Sequence, residues 1–270
     1  MASSEHTLRL GYLDRANLLP LLYPITAGWA QTESPWQVET VDLAPAAALE
    51  ALLAGELDAA LVSPVAAQMH GKQIAPLGGW GLATHGGAET TLLLAPRRLD
   101  MMDAETLAVT PNAKGSSAET LLKTLLSPYY GITLELRHEG DEGYDPAGAR
   151  LVYGDQADTQ QPGPGWVAED LGLAWWVLTG LPMVWELLCS RRDLESAKPG
   201  ASGVLSGLLK QSLRTAGEHA ATVQDEASSR VNLPAPRIKE LFARQRFTLG
   251  QDEQRGLAHF LDQAARARAI

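Results

Sequence analysis

Leu57-Asp58-Ala59-Ala60-Leu61-Val62-Ser63-Pro64 is the stretch on which the fold turns. It is short, apolar without alternation, and stopped by Ser-Pro, the pattern of a strand covered on both faces in a parallel sheet rather than of a half-exposed antiparallel one. Immediately upstream lies an alanine-rich segment that starts at Pro45, carries Leu49, Leu52 and Leu53 on one face and stops at Gly55, which predicts a helix. Before it, Val38 to Leu43 predicts a strand. At the start of the chain, strand Leu8 to Leu13 turns through Asp14 to Asn17 into apolar residues at helical spacing over Leu18 to Ile25. This β-α-β-α order with short connections implies an α/β layer with parallel strands and right-handed crossovers.

Downstream, glycines at 78, 79, 81, 86 and 87 mark a change of character. Thr90 to Ala95 predicts a strand ended by Pro96, read as a bridge to a fresh α/β unit. That unit comprises strand Leu107 to Thr110, helix Ser117 to Leu126, and strands Ile132 to Leu136 and Leu151 to Tyr153. Gly140 to Gly148 and Thr159 to Gly165 read as loop. A helix over Asp170 to Leu178 closes at Gly180 and Pro182, and apolar Met183 to Cys189 reads as the returning bridge. From Gly203 onward the pattern is helical, with breaks at Pro234-Ala235-Pro236 and Gly250. Crossings near residues 95 and 187 predict a discontinuous first lobe, 1–95 plus 190–270, with a second lobe, 96–189, inserted into it and a ligand cleft between them. The alternative is a single α/β domain with a helical tail.

The 270 residues, 45% hydrophobic, 20% charged and 6% aromatic, are those of an ordinary globular chain near the size at which one core divides into two. Thirty-two acidic against 22 basic residues give a net charge of -10, which argues against a nucleic-acid partner. A single cysteine, Cys189, and six scattered histidines offer neither a disulfide framework nor a zinc site, so no metal and no cofactor are expected. Met1 to His6 lacks the basic start and apolar stretch of an export signal, which predicts a cytoplasmic protein. No apolar run approaches the roughly 20 residues that cross a bilayer, so no membrane partner is expected either.

Signatures of standard catalytic classes are missing: there is no His-Glu-x-x-His, Gly-x-Ser-x-Gly, Walker loop or Cys-x-x-Cys. Gly163-Pro164-Gly165-Trp166-Val167-Ala168 matches a dinucleotide fingerprint as a string, but no strand leads into it, and it reads as a turn. His85 offers a general acid or base, against the commoner role of a solvated loop histidine. Ser116 followed by Glu119 and an apolar run reads as a capping box. The same helix start offers Ser116, Ser117 and free N–H groups to a carboxylate. Asn17 has the same double reading, as a cap or as an amide that orients a polar ligand.

Several of these pieces together resemble the menaquinone-biosynthesis family of the futalosine pathway. The clearest is Asp170-Leu171-Gly172-x-x-Trp175-x-x-x-Thr179-Gly180-Leu181-Pro182, supported by Gly11-Tyr12, Asn17-x-x-Pro20-Leu21, Gly55-x-Leu57-Asp58-Ala59-Ala60-Leu61 and Gly154-Asp155-x-Ala157. The resemblance covers most of residues 8–190 and implies a two-lobed, periplasmic-binding-protein-like (type II) α/β fold with two hinge strands. Asn17-x-x-Pro20 and Gly154-Asp155 look like the branch that dehydrates chorismate to 3-[(1-carboxyvinyl)oxy]benzoate without a cofactor. In this branch, Thr90 stands where serine is usual, and Lys114-Gly115-Ser116-Ser117 departs from the usual helix start. On this resemblance Asn17 and Thr90 serve the reacting ring and enolpyruvyl group, while Ser63, Ser116 and Ser117 bind substrate. Asp155 is a base or caps a turn. Two alternatives stay open: a dehypoxanthine-futalosine-processing enzyme of the same family, and a cytoplasmic protein that binds a small anion without turnover.

Overall fold

The computed structural model describes residues 6–33, 35–102, 104–125, 129–155, 157, 164–231 and 233–267. Leu126, the expected end of one helix, and the first part of the expected Thr159 to Gly165 loop lie outside them. Two sheets carry the fold. The first orders its strands β11-β4-β10-β3-β1-β2, with β1 (Thr7–Tyr12), β2 (Gln37–Asp42), β3 (Ala59–Val62), β4 (Ile74–Thr84), β10 (Met183–Arg191) and β11 (Gln245–Thr248). The second orders them β7-β6-β8-β5-β9, with β5 (Thr91–Ala95), β6 (Ala104–Val109), β7 (Thr133–Arg137), β8 (Arg150–Tyr153) and β9 (Val167–Asp170). β1 runs parallel to β2 and β3, and β6 runs parallel to β7 and β8, as short crossovers through helices require. β3 is buried along its whole length, which explains its unbroken apolar run.

Helices α1 (Leu19–Thr26), α2 (Pro45–Ala54) and α3 (Pro64–Met69) follow the first strands, and α4 (Ser117–Leu125) lies in the second unit. α5 (Leu171–Thr179) leads back to β10, and α6 (Leu194–Ala197), α7 (Ala201–Glu218), α8 (Ala220–Val231), α9 (Ala235–Arg244) and α10 (Gln251–Arg266) complete the chain. α4 buries Leu121, Leu122 and Leu125 completely; at about 1.5–3 kcal/mol for each such side chain, this face fixes the helix on its sheet. α10 packs on β10 of the first sheet and on α4 of the second unit. Its Phe260 meets the fully buried Trp175 of α5 edge to face, with ring centroids 5.9 Å apart.

The structure corrects the sequence reading in four places. Glycines 78, 79 and 81, read as marking a change of character, lie inside the continuous strand β4. A Cβ on Gly81 would stand 2.4 Å from the Glu186 carbonyl oxygen, so β10 approaches β4 only because that side chain is missing. Thr91 to Ala95, taken as a strand of the first lobe, pairs with β8 and β9 in the second sheet. Met183 to Cys189, assigned to the second lobe, pairs with β3 and β4 in the first. The crossings between sheets are therefore the short segments 85–90 and 180–182, rather than positions near 95 and 187. Finally, β9 and β11 are strands where loop or helix was expected, since four-residue strands leave little periodicity to read.

Candidate active site at the junction of the two sheets

After β1 the chain turns into a 3-10 turn at Ala16–Leu18, which buries Asn17 to 3% exposure. Asn17 caps no helix: its Nδ2 donates to Thr90 Oγ1 at 3.2 Å, and the Thr90 hydroxyl donates to the Ala88 carbonyl at 3.3 Å. Thr90 sits in the 85–90 crossing, so this bond joins the turn after β1 to the strand that opens the second sheet. Asn17 Oδ1 has no partner among the described residues. From the end of β8, the Gly154 N–H donates to the Thr90 carbonyl at 2.8 Å, and the Asp155 carboxylate accepts the Ala16 N–H at 2.8 and 3.1 Å. Burial pushes the Asp155 carboxyl above its ordinary pKa, against the pull of the Ala16 N–H and the Arg15 charge. Asn17, Thr90 and Asp155 thus converge on one place.

The same place holds three residues that sequence reasoning passed over. Arg15 is 1% exposed, and its Nη2 donates to Glu186 Oε2 at 2.5 Å. The guanidinium carbon lies 4.7 Å from the centroid of the Tyr153 ring, and the Tyr153 hydroxyl donates to Glu186 Oε1 at 3.3 Å. Burial works against the Arg15 charge, but Glu186 and Tyr153 more than offset it and hold its pKa above the ordinary value. Arg15 Nε and Nη1 have no acceptor among the described residues. The strand register places Glu186 opposite Leu82 and Gln245 opposite Thr84, so Glu186, Thr84 and Gln245 share one face of the first sheet. Gln245, 4% exposed, finds no partner for either amide atom among the described residues. The available signal was Glu186 itself, an acid inside the apolar run Met183 to Cys189, since charged residues are almost never fully buried without a partner.

The other expected residues are engaged locally. Ser63 accepts the Ala66 N–H at 3.2 Å and caps α3. Ser116 donates to the Ala113 carbonyl at 2.6 Å and accepts the Ala118 N–H at 3.2 Å. Glu119 reaches the Gly115 N–H at 2.7 Å, so the expected reciprocal box forms one residue out of step. Ser117 donates to the Trp185 carbonyl at 2.5 Å and ties α4 to β10 of the other sheet. His85 contacts Glu253 of α10 at 2.6 Å between Nε2 and Oε1.

The Asp170-x-Gly172 pattern also acquires a reason. Asp170 accepts the N–H groups of Ala88 (3.1 Å), Glu89 (2.7 Å) and Leu173 (3.0 Å), which caps α5 and shapes the crossing that carries Thr90. A Cβ on Gly172 would lie 3.0 Å from the Ala88 nitrogen and 3.1 Å from the Gly86 carbonyl oxygen, so α5 can press against that crossing only with glycine here. Glu89 adopts φ 58°, and its carboxylate pairs with Arg244 at 2.7 Å and Arg237 at 3.1 Å of α9.

Comparison with solved structures places the fold. Protein AF1704 from Archaeoglobus fulgidus superposes with a TM-score of 0.77 at 18% identity, over 99% of this chain and 100% of that one. The Candida albicans CA3427 gene product, described as having the generic periplasmic binding protein fold, gives 0.65 at 12%, over 98% and 90%. The alkanesulfonate-binding protein SsuA from Xanthomonas axonopodis pv. citri gives 0.66 at 17%, over 99% and 95%. The architecture is therefore the periplasmic-binding-protein-like α/β fold. No helix among the described residues is long and apolar enough to cross a membrane. A comparison with curated proteins found no match. The family profile described as Menaquinone biosynthesis matches residues 8–266, nearly the whole sequence, and the chain belongs to that family.

Proposed function

We propose that the protein is a chorismate dehydratase, which converts chorismate to 3-[(1-carboxyvinyl)oxy]benzoate and water. The reading rests on the family and on one observation above all: Asn17, in the turn after β1, and Thr90, in the crossing that leads into the second sheet, are hydrogen-bonded to each other in a buried junction, with Asn17 Oδ1 unspent among the described residues. In the reaction the C3–H bond of the ring breaks, its electron pair forms the C3–C4 double bond, and the C4 hydroxyl leaves with a proton as water. Aromatisation drives the elimination, so the protein has more to orient than to activate. Asn17 and Thr90 hold the reacting ring and the enolpyruvyl group, and each hydrogen bond that strengthens as charge develops lowers the barrier. The enolpyruvyl carboxylate of the substrate takes the C3 proton, held in place by the protein. Asp155, tied to the Ala16 N–H, positions the turn that carries Asn17. Ser63, Ser116 and Ser117, whose hydroxyls serve other groups, shape the substrate walls rather than supply free donors.

The test is incubation of the purified protein with chorismate, following loss of the diene absorbance and identifying the product by mass. A product lighter by one water supports the reading. Intact chorismate in a folded protein overturns it in favour of the second reading, binding of a small anion without turnover, which the fold shared with an alkanesulfonate-binding protein favours.

A further inference from the structure

Arg15 is a cation that the sheet junction holds in place but does not fully satisfy. Its side chain is 1% exposed, one nitrogen is fixed by Glu186 and the planar group is stacked near Tyr153, yet Nε and Nη1 have no acceptor among the described residues. A buried charged donor left unpaired costs more than a neutral one, and a guanidinium is suited by its flat fork of N–H groups to a carboxylate. Two residues along, Asn17 carries its own unpaired oxygen and holds Thr90. The Asp155 carboxylate occupies the Ala16 N–H between them, so the turn 15–17 is fixed from the second sheet. By contrast, the hydroxyls of Ser116 and Ser117, the groups first expected to meet a carboxylate, are spent on the Ala113 and Trp185 carbonyls.

We infer that Arg15 is the carboxylate-binding group of this site, presented by Glu186 and Tyr153 to an aromatic or cyclohexadienyl carboxylate held against Asn17 and Thr90. The inference builds on the dehydratase reading and names which residue takes the substrate's negative charge. Glu186 sets the orientation of the guanidinium and at the same time competes for its charge. Two variants therefore separate ligand binding from a structural tie. Arg15→Met with Glu186→Leu removes both charges together, which often leaves a fold intact. Glu186→Gln keeps a hydrogen-bonding side chain but removes the competing carboxylate.

Calorimetric titration with chorismate, and with 3-hydroxybenzoate as a carboxylate that cannot undergo the elimination, reads both variants alongside a thermal melt. The double variant should melt near the wild type and bind each carboxylate about 100-fold more weakly, the loss of a charged hydrogen-bonded contact. Glu186→Gln should bind each about 3- to 10-fold more tightly, because the cation is no longer shared. A purely structural tie predicts the opposite for Glu186→Gln. Unchanged affinity in the double variant, or weakened affinity in Glu186→Gln, overturns the inference. If the wild type binds 3-hydroxybenzoate in an Arg15-dependent way but leaves chorismate intact, the role of Arg15 stands and the dehydratase reading falls. If it turns chorismate over and the double variant keeps its affinity, the reverse holds.

Discussion

Two groups of buried polar side chains lie at the junction of the sheets, and they differ in how their hydrogen-bonding capacity is used. At the start of α4, Ser116 and Ser117 spend their hydroxyls on carbonyls at 2.6 and 2.5 Å. At the turn after β1, Arg15 and Asn17 are as deeply buried, yet each retains polar capacity with no partner among the described residues. Ser116, Ser117 and Asn17 look alike in the sequence, because each is a polar residue at the start of a helix. Only the unspent capacity separates a group that holds the protein together from one that is open to a ligand.

That contrast can be broken or sharpened by substitution. The largest expected effect is on stability. Glu186→Leu alone strands the buried Arg15 charge and should cost about 3–5 kcal/mol in denaturant unfolding, whereas the double variant with Arg15→Met should recover most of it. An equal loss in both would mean that Glu186 acts by packing instead of charge. Next, Asn17→Ala and Thr90→Ala should each lower chorismate turnover by about 100-fold or more, with unfolding midpoints little changed. A near-normal rate in either variant removes that residue from the reaction. Ser117→Ala should show the reverse profile, about 1 kcal/mol of stability lost and turnover changed only a few-fold. A severe loss of rate there would shift the binding role back to α4.

The smallest effect is on pH dependence. Burial raises the Asp170 carboxyl above its ordinary 3.8, so the folded state holds that proton more tightly than the unfolded chain. The stability this contributes is fully present below 3.8 and is lost as pH rises through the higher folded value. Unfolding midpoints of wild type and Asp170→Asn, measured between pH about 4 and 7, should therefore show the wild-type advantage shrinking as pH rises. An advantage that grows would mean that the three N–H groups on Asp170 outweigh its burial.

The parallel strands around Leu57 to Val62 were legible because a strand buried on both faces leaves an unbroken apolar run, and helix α2 because Pro45 and Gly55 bracket it. β4 was not legible, since glycines at 78, 79 and 81 weaken strand propensity; what makes it a strand is the close approach of β10, a contact about a hundred residues away in sequence. Asn17, Thr90 and Asp155 came from family motifs, and the structure brings them together. Arg15 escaped because 171 residues separate it from Glu186, whose place inside an apolar run signals a buried partner but not which residue supplies it. The hydroxyl partners of Ser116 and Ser117 were equally hidden, being main-chain carbonyls that no side-chain pattern marks.

Helix α10 has a consequence for how the molecule is assembled during synthesis. Its Glu253 meets His85 in the first crossing, and its Phe260 meets Trp175 beside the second. A ribosome that has released residues 1–250 has supplied the eleven strands seen among the described residues, but not the element that braces each sheet. Chains cut before Gln251 should therefore keep both sheets while losing their fixed alignment, so the junction forms only after the last turns of α10 emerge.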